Sequence, residues 1–341
     1  MKVVDLFSGC GGLSLGLMNA GHSVVAAFDN WEPALAVYRE NIREHPAIQQ
    51  DLSDVSSSVA LVSKFRPQVV AGGPPCQDFS SAGFRNYRGK RADLTYKFAD
   101  IVCQVSPKFF VMENVERIRK TRVLAEIIKQ FSEAGFGLTA VVLDASYCGA
   151  PQARLRFFLI GHRRAPHNFL SGYLESALSE KPMTMRDYFG DTLGIQYYYR
   201  HPRNYNRRAI YGLDEPSATI RGVNRPIPPG YVLNANDPVG ISLRDVRPLT
   251  TAERARVQTF PSDFKFLGNR TAQEQMIGNA VPVALGQFVG RALSDYAESG
   301  FKPLSLTDEL FQDDALKLPE RPLRPVGTTR PTRSTVARRI A

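Results

Sequence analysis

The feature that most constrains the fold is a regular alternation of short apolar runs and amphipathic stretches in the first 160 residues. The runs with the length and β-branched or aromatic content of buried strands are 2–7, 23–29, 68–72, 109–113, 138–145 and 156–161. Helical patterns begin near Leu13, Pro33, Leu94, Val123 and Met183. This repetition predicts an α/β fold with a mainly parallel, helix-covered sheet, whose functional segments follow the ends of the strands.

After about residue 161 the regular pattern is lost, and residues 197–247 are rich in Tyr, Arg, Pro, Asn and Gly. Aromatic and Arg side chains stack on bases and contact phosphates, so we favour a nucleic-acid-facing module over a simple surface loop. Helical patterns resume at 249–260 and after Pro282.

From this change of pattern we expect a regular α/β domain at 1–162, an irregular region at 163–245, a return to the first domain at 246–300, and a C-terminal extension at 301–341. From about residue 319 this extension combines prolines and arginines with few apolar residues, which predicts a disordered basic tail. The tail either adds salt-sensitive DNA affinity or is a solvated segment without function.

The formal net charge of +10 suits a polyanionic partner, although a basic enzyme of small molecules has the same signature. No apolar run approaches the roughly 18 residues that a membrane span needs, and the N-terminus lacks a signal-peptide pattern. We expect a cytoplasmic protein without membrane contact. The four cysteines form no C-x-x-C pair, so no metal site is predicted.

A glycine-rich turn at residues 5–13 joins the first strand to the first helix, and its glycines let a ligand approach the backbone. Asp29 ends the next strand, where a carboxylate commonly binds ribose hydroxyls. Ser14 replaces the last glycine of the dinucleotide pattern, which a cofactor without pyrophosphate does not need. These features predict a nucleoside-containing cofactor. Asp51 either binds the adenine amino group or caps a helix over 52–65.

A thiol follows a rigid turn at residues 69–80, where an apolar strand ends in Gly72-Gly73 and two prolines precede Cys76. Reactive cysteines favour such strand ends, and nearby cations lower a thiol pKa. Four cations follow closely in the chain: Arg85, Arg88, Lys90 and Arg91. The pattern favours a nucleophile at Cys76 over a buried, inert thiol.

Several segments resemble, in order, the motifs of DNA cytosine-5 methyltransferases: residues 7–12, 73–77, 113–115, 152–156 and 275–282. Residues 247–250, with Glu253, Arg254 and 258–261, resemble the family segment before the last motif, and the resemblance spans about 3–290. It implies a Rossmann-like S-adenosyl-L-methionine-dependent methyltransferase domain, which is catalytic and cofactor-binding, at 1–162 and 246–300. It further implies a small irregular, β-rich target-recognition domain at 163–245. It also implies site-specific methylation of cytosine C5 in double-stranded DNA.

The same resemblance assigns catalytic roles. Cys76 adds to cytosine C6, Glu113 acts at N3 and Arg156 acts near O2, which together make C5 nucleophilic. Asn114 helps to position this site, and Arg154 holds the catalytic loop or a phosphate. Because the target atom is inaccessible inside a stacked duplex, the base has to be flipped out, and we expect residues 80–97 to close over it.

On the cofactor side the resemblance implicates Phe7, Gly9, Gly11, Asp29, Asn30, Asp51, Leu52, Gly73, Pro75, Leu94, Asn279 and Ala280. In some family members an aromatic residue directly follows the ribose-binding acid and stacks on adenine. Here Asn30 follows Asp29, and Trp31 comes next. Trp31 is therefore either the stacking residue or an anchor at the start of a helix.

Residues 216–222 resemble the Thr-containing segment of family recognition regions. The candidate DNA contacts are Ser80, Arg85, Arg88, Arg207, Arg208, Thr219, Arg221 and Arg225. The modest size of the region fits a short, largely palindromic site. The absence of large regulatory domains indicates a monomeric prokaryotic enzyme, paired with a cognate restriction endonuclease or solitary.

Two other classes stay open. An RNA (tRNA) cytosine-5 methyltransferase of the related subgroup uses the same DNA-type fold and also carries a Pro-Cys motif, so Cys76 does not discriminate. A catalytically inactive DNA-binding relative is the other class. The intact set of Cys76, Glu113, Arg154 and Arg156 argues against it.

Overall fold

The computed structural model describes residues 1–75, 93–202, 207–302 and 315–325. In these ranges the strands are β1 (Lys2–Leu6), β2 (Ser23–Asp29), β3 (Ala47–Gln49), β4 (Val69–Gly72), β5 (Phe109–Val115), β6 (Phe136–Asp144), β7 (Gln152–Ala153), β8 (Leu155–Arg163), β9 (Tyr197–Tyr199), β10 (Ile210–Gly212), β11 (Ser217–Ala218) and β12 (Arg247–Pro248). The helices are α1 (Gly12–Asn19), α2 (Glu32–Asn41), α3 (Val55–Lys64), α4 (Asp93–Val105), α5 (Arg122–Glu133), α6 (Ser171–Ser176), α7 (Met185–Phe189), α8 (Thr251–Val257), α9 (Arg270–Asn279) and α10 (Val283–Glu298).

A seven-stranded sheet in the order β3-β2-β1-β4-β5-β8-β6 forms the centre of the molecule. The pairings among β1 to β5 are parallel, whereas β8 runs antiparallel to both of its neighbours. The α/β class and the mainly parallel sheet predicted from the strand pattern are confirmed. The pattern missed β3, which has only three residues.

The central strands are buried on both faces, which explains their nearly continuous apolar sequence. Alternate residues enter different layers of the core: Val3 and Phe109 pack on one face, and Val4 and Phe110 on the other. Such alternation follows from the two-residue period of a strand. The strands are therefore fixed in register from both sides, which fixes the positions of the loops at their ends.

Helix α10 packs on α1 and completes the first of these layers with Leu285, Val289 and Leu293. Glycines allow the close approach: a Cβ added at Gly16 would lie 2.5 Å from the Val283 carbonyl oxygen. The segment that follows the recognition region thus packs against the first helix of the chain.

The region after β8 contains short helices, small sheets and long irregular segments. Strand β9 pairs antiparallel with β10 and parallel with β12, and β11 pairs parallel with β7. The pairing of β11 with β7 joins the recognition region directly to the segment that precedes Arg154 and Arg156. Within the described residues no helix is long and apolar enough to cross a membrane.

Residues 315–325 lie against the edge strand β6. The Leu323 amide donates to the Val142 carbonyl oxygen at 2.8 Å, and Arg324 lies 3.5 Å from the Asp144 carboxylate and over the Tyr147 ring. Disorder was expected from about residue 319, but residues 319–325 dock on the sheet edge. Composition did not reveal this because a few specific contacts by Leu323 and Arg324 fix an otherwise polar segment.

Candidate active site

A cleft of roughly 720 Å³ opens at the carboxyl ends of β1, β2, β4 and β5. This volume lies within the range of small-molecule sites, and the edge is where open α/β sheets bind ligands. Every cofactor-side candidate lines the cleft except Gly11, and so do Glu113, Asn114 and Arg156. Residues that are far apart in the chain therefore converge on one space.

The turn after β1 is shaped by positive φ angles at Phe7 (56°), Gly9 (53°) and Gly11 (97°). One carboxylate oxygen of Asp29 accepts the Gly9 amide at 2.8 Å, and the other accepts the Trp31 amide at 2.8 Å. Asp29 thus joins the turns that follow β1 and β2. Burial raises the pKa of Asp29, while these backbone donors lower it.

Gly11 does not line the cleft. It precedes α1, and a Cβ added there would lie 2.8 Å from Ile42 Cδ1 and 3.0 Å from Tyr38 Cδ2. Its glycine is explained by the positive φ and by this close packing. The structure thus gives Gly11 a role in packing, and a cofactor contact at this residue stays a prediction.

The turn after β3 contains Asp51 and Asp54, and Asp51 was expected either to bind the adenine amino group or to cap a helix. Asp54 caps α3, since its side chain accepts the Ser57 amide at 3.1 Å, and the helix begins at Val55. The alternative in which Asp51 caps a helix beginning at 52 is therefore wrong. Asp51 is exposed at the cleft, and its hydrogen bond from Ser53 lowers its pKa.

Trp31 combines features of both interpretations. It is half-buried, packs against a core cluster and stands at the N-cap of α2, as an anchor does. It also lines the cleft beside Asn30 and Ala34. Adenine stacking by Trp31 stays a prediction.

Glu113 and Arg156 form a nearly buried ion pair at the other end of the cleft. Val115 of β5 lies opposite Arg156 of β8, so Glu113, two residues earlier on the same face, is its diagonal neighbour. Arg156 Nε lies 2.8 Å from Glu113 Oε1. Burial raises the pKa of Glu113, while Arg156 and Arg154 oppose that rise.

Asn114 links this pair to the segment that carries the predicted nucleophile. Its side-chain nitrogen donates to the Pro74 carbonyl oxygen at 3.2 Å, and its side-chain oxygen accepts the Val115 amide at 2.8 Å. The Pro74-Pro75 turn is thereby held beside Glu113. Cys76 follows directly in the chain but lies outside the described residues, as do Ser80, Arg85 and Arg88.

Arg154 does not line the cleft. Its side chain is buried, and its Nη atoms donate to the carbonyl oxygens of Ile220 (2.8 Å), Gly278 (2.9 Å) and Ala280 (3.0 Å). In this arrangement the guanidinium has no access to a DNA phosphate. It holds the recognition region against the cofactor side of the cleft instead.

The remaining DNA candidates differ in their surroundings. Arg207 and Arg225 are exposed, whereas Arg208 pairs with Glu215 and lies over the Tyr211 ring. Arg221 donates to the His201 carbonyl oxygen, and the Thr219 hydroxyl donates to that of Ala153. Arg208 and Arg221 thus help to hold the recognition region together, and Thr219 ties it to β7.

Several residues that line the cleft were not singled out: Asp5, Ser8, Cys10, Gly12, Leu13, Ala34, Gln50, Pro74, Val115, Gln275, Met276, Gly278 and Val281. Most lie within or beside the quoted motifs, so proximity in sequence was the available signal. Asp5 is notable because it is fully buried and accepts the Ser14 hydroxyl at 2.5 Å. Burial raises its pKa to about 7.

The fold is that of known methyltransferases. A solved structure of S. pombe Dnmt2 methyltransferase superimposes with a TM-score of 0.63 at 18% identity, covering 88% of this chain and 99% of that one. A solved Entamoeba histolytica methyltransferase, EhMeth, gives 0.60 at 17% identity, covering 89% and 99%. At these identities the likeness concerns the fold.

Residues 1–295 match the family model of the C-5 cytosine-specific DNA methylase, and the chain belongs to this family. The protein is therefore a DNA cytosine-5 methyltransferase, and the resemblance described above is confirmed. Among its relatives, the Type II methyltransferase M.HindV of Haemophilus influenzae is 56% identical over 304 residues, covering 89% of this chain and 100% of the relative. The Type II methyltransferase M.HgiDI of Herpetosiphon aurantiacus is 49% identical over 312 residues, covering 91% and 100%.

Proposed function

We propose that this enzyme methylates C5 of a flipped-out cytosine within a short double-stranded DNA sequence, with S-adenosyl-L-methionine as donor. The observation that carries the proposal is the Glu113–Arg156 pair beside the Pro74-Pro75 turn. The pair shares one cleft with Asp29, Asn30 and Asp51. A site for a nucleoside-type cofactor and an acid–cation pair for a pyrimidine ring thus adjoin each other.

The residues of the cleft fit S-adenosyl-L-methionine. Phe7, Trp31 and Leu52 offer apolar surface for an adenine ring, and the carboxylates of Asp29 and Asp51 accept hydrogen bonds from hydroxyl or amino groups. When bound, S-adenosyl-L-methionine supplies an electrophilic methyl group. The glycine-rich turn lets the ligand approach the β1–α1 backbone.

In the proposed mechanism the Cys76 thiolate forms a bond to cytosine C6. The electron pair of the C5–C6 double bond is displaced toward N3 and O2, where Glu113 and Arg156 stabilise it. The raised pKa of Glu113 suits it to donate a proton to N3. C5 would then bond to the methyl carbon as the methyl–sulfur bond breaks and S-adenosylhomocysteine leaves. A base such as water would take the C5 proton, the C5–C6 double bond would re-form with loss of the thiolate from C6, and N3 would return its proton to Glu113.

Burial of the acid supports base flipping. Glu113 lines the cleft and is only 9% exposed, so a base that stays stacked in a duplex would not reach its carboxyl group. Extruding a base costs a few kcal/mol. Contacts from the exposed Arg207 and Arg225, together with the segment that carries Arg85 and Arg88, would offset that cost.

We propose a role in protecting host DNA from a cognate restriction endonuclease, supported by the names of the two Type II relatives. The high identity to these enzymes favours DNA over RNA as the substrate. We also propose that the enzyme acts as a monomer in the cytoplasm.

Expression in a methylation-deficient bacterial host, followed by bisulfite sequencing, tests the proposal. We expect methylated cytosines at one short recurring sequence in cells with the wild-type protein and none with Cys76→Ser. Genomic DNA without methylated cytosine, while the purified protein is folded and binds S-adenosylhomocysteine, would overturn the DNA assignment. Methylation of tRNA in the same cells would favour the RNA alternative.

A further inference from the structure

A buried glutamine and a buried arginine bind the backbone of a single residue of the recognition region. The Ile220 amide donates to Gln152 Oε1 at 2.8 Å, and Arg154 donates to the Ile220 carbonyl oxygen at 2.8 Å. Both polar groups of this peptide position are thus bound by side chains from the catalytic domain. Ile220 belongs to residues 217–222, here called the recognition segment.

The other end of the same network lies at the cleft. Gln152 Nε2 donates to Gln258 Oε1 at 2.7 Å, and Gln258 Nε2 donates to the carbonyl oxygens of Ile277 (2.5 Å) and Ala280 (3.0 Å). Arg154 donates to the same Ala280 oxygen. Residues 278–281, which we call the cleft wall, all line the cofactor site.

The recognition segment also touches the cleft wall directly. A Cβ added at Gly278 would lie 2.1 Å from the Gly222 amide nitrogen and 2.3 Å from the Arg221 carbonyl carbon. There is no free space between the two backbones at this point. A displacement of the cleft wall toward the recognition segment at Gly278 therefore has to move residues 221 and 222 as well.

The network is buried and held under backbone strain. Gln152 and Gln258 are fully buried and Arg154 is 1% exposed, so losing a partner leaves a polar group without water. Next to Gln258, the β-branched Thr259 has a φ of 61°, and its hydroxyl accepts the Ala284 amide at 2.8 Å. A β-branched residue keeps such an unfavourable backbone conformation only where several surrounding contacts hold it in place.

We propose that Gln152 and Gln258, together with Arg154, are positioning residues that couple occupancy of the cofactor site to the order of the recognition segment. A ligand packed on Asn279 and Ala280 orders the carbonyl oxygens that Gln258 and Arg154 bind. Those side chains in turn hold both polar groups of Ile220. The inference rests on the proposed function only in taking the cleft as the S-adenosyl-L-methionine site.

Hydrogen exchange measured by mass spectrometry, with and without S-adenosylhomocysteine and without DNA, tests the coupling. In the wild-type protein we expect the ligand to slow exchange of the 217–222 amides about fivefold or more, the lower end of usual coupling between sites. In Gln258→Leu the ligand still binds, but the slowing at 217–222 is lost. Gln152→Leu gives the same result from the other half of the amide pair.

Gln273→Leu is the matched control. Gln273 lies on α9 and, like Gln258, donates to two backbone carbonyls, those of Phe266 and Gly268, but neither of these residues lines the cleft, whereas Ala280 does. In Gln273→Leu the ligand should slow exchange of the 217–222 amides as it does in the wild type. Thermal unfolding of each variant checks that it is folded.

Binding of S-adenosylhomocysteine is measured by calorimetry in the same samples. If the ligand binds but leaves exchange at 217–222 unchanged in the wild type, or slows it equally in folded Gln258→Leu, the coupling is overturned and the proposed function stands. If the ligand does not bind the wild-type protein, the cofactor assignment fails as well.

Discussion

Glu113 shows how one residue acquires a chemical role from its place in the sheet. Its diagonal position relative to Arg156 follows from the antiparallel register of β5 and β8. Burial raises the pKa of Glu113, and the adjacent guanidinium of Arg156 opposes that rise. The identity of the pair was predictable from the motifs at 113–115 and 152–156. Their contact was not, because it requires β8 to run antiparallel.

Replacing Glu113 with Gln tests the proton-donor role. The amide keeps a hydrogen-bonding group beside Arg156 but cannot deliver a proton to N3, so we expect kcat to fall by about a hundredfold or more. The pH profile gives a second readout. Turnover of the wild type should decline as pH rises through the raised pKa of Glu113, because the donor is lost. Glu113→Gln should lack that decline in kcat, and retaining it would contradict the assignment.

Cys76→Ser tests the nucleophile. A hydroxyl is a far weaker nucleophile than a thiolate, so the variant should form no covalent adduct with DNA that carries 5-fluorocytosine in the recognised sequence. Denaturing gel electrophoresis detects the adduct. Cys103→Ser is the control and should trap DNA as the wild type does. Trapping by Cys76→Ser at the wild-type level would refute the role of the thiol.

The raised pKa of Asp5 predicts that the stability of the folded protein depends on pH. Its pKa is raised from 3.8 to about 7 by burial, so the folded state holds a proton that the unfolded state has lost between these values. The free energy of unfolding should therefore fall as pH rises from about 4 to about 7. In Asp5→Asn this contribution disappears, whereas Asp263→Asn at an exposed site keeps it. Urea unfolding across this pH range measures the free energy of unfolding of each protein. If that free energy depends on pH equally in Asp5→Asn and the wild type, the explanation is contradicted.

At the scale of elements, the sheet was largely predictable, since long apolar runs that are buried on both faces leave a clear signal. The prediction for β2, residues 23–29, matches its bounds, and α2 and α5 begin within one residue of the expected positions. The short strands β3, β7 and β9 to β12 escaped because two or three residues carry no periodicity. The sequence also did not identify Asp54 as the N-cap of α3, since Asp51, Ser53 and Asp54 are all favourable N-cap residues.

Helices α1 and α10 meet through glycine, which gives a test at this scale. Gly16→Ala places a Cβ 2.5 Å from the Val283 carbonyl oxygen, and we expect a loss of about 1–3 kcal/mol in the free energy of unfolding. Gly212→Ala is the matched control, because its added Cβ would come no nearer than 3.6 Å to a neighbouring atom. Chemical denaturation measures both. A destabilisation equal to that of the control would show that the helices can separate at little cost.

For the whole molecule, the net charge of +10 bears on DNA binding through counterion release. Four of the arginines, Arg330, Arg333, Arg338 and Arg339, follow the docked segment 315–325. We expect truncation after Pro325 to weaken DNA binding and to reduce the salt dependence by up to about 0.9 log units per lost phosphate contact.

Binding titrations over a series of salt concentrations measure the slope for the full chain and the truncated form. Replacing the same four arginines with glutamine controls for chain length and should reproduce the smaller slope. Identical slopes for the full and truncated chains would favour a solvated tail without a part in binding. The docked residues 319–325 stay in both forms, so the anchorage on β6 is not disturbed.

The packing of α10 on α1 has a consequence for biosynthesis. A ribosome that has completed the sheet and the recognition region has not yet released α10, so the face of α1 around Gly16 stays uncovered until α10 emerges. Growing chains with exposed apolar surface are the ones that chaperones bind. Because residues 278–281 of the cleft wall also follow the recognition region in the chain, a nascent chain completes the cleft only after that region has been made.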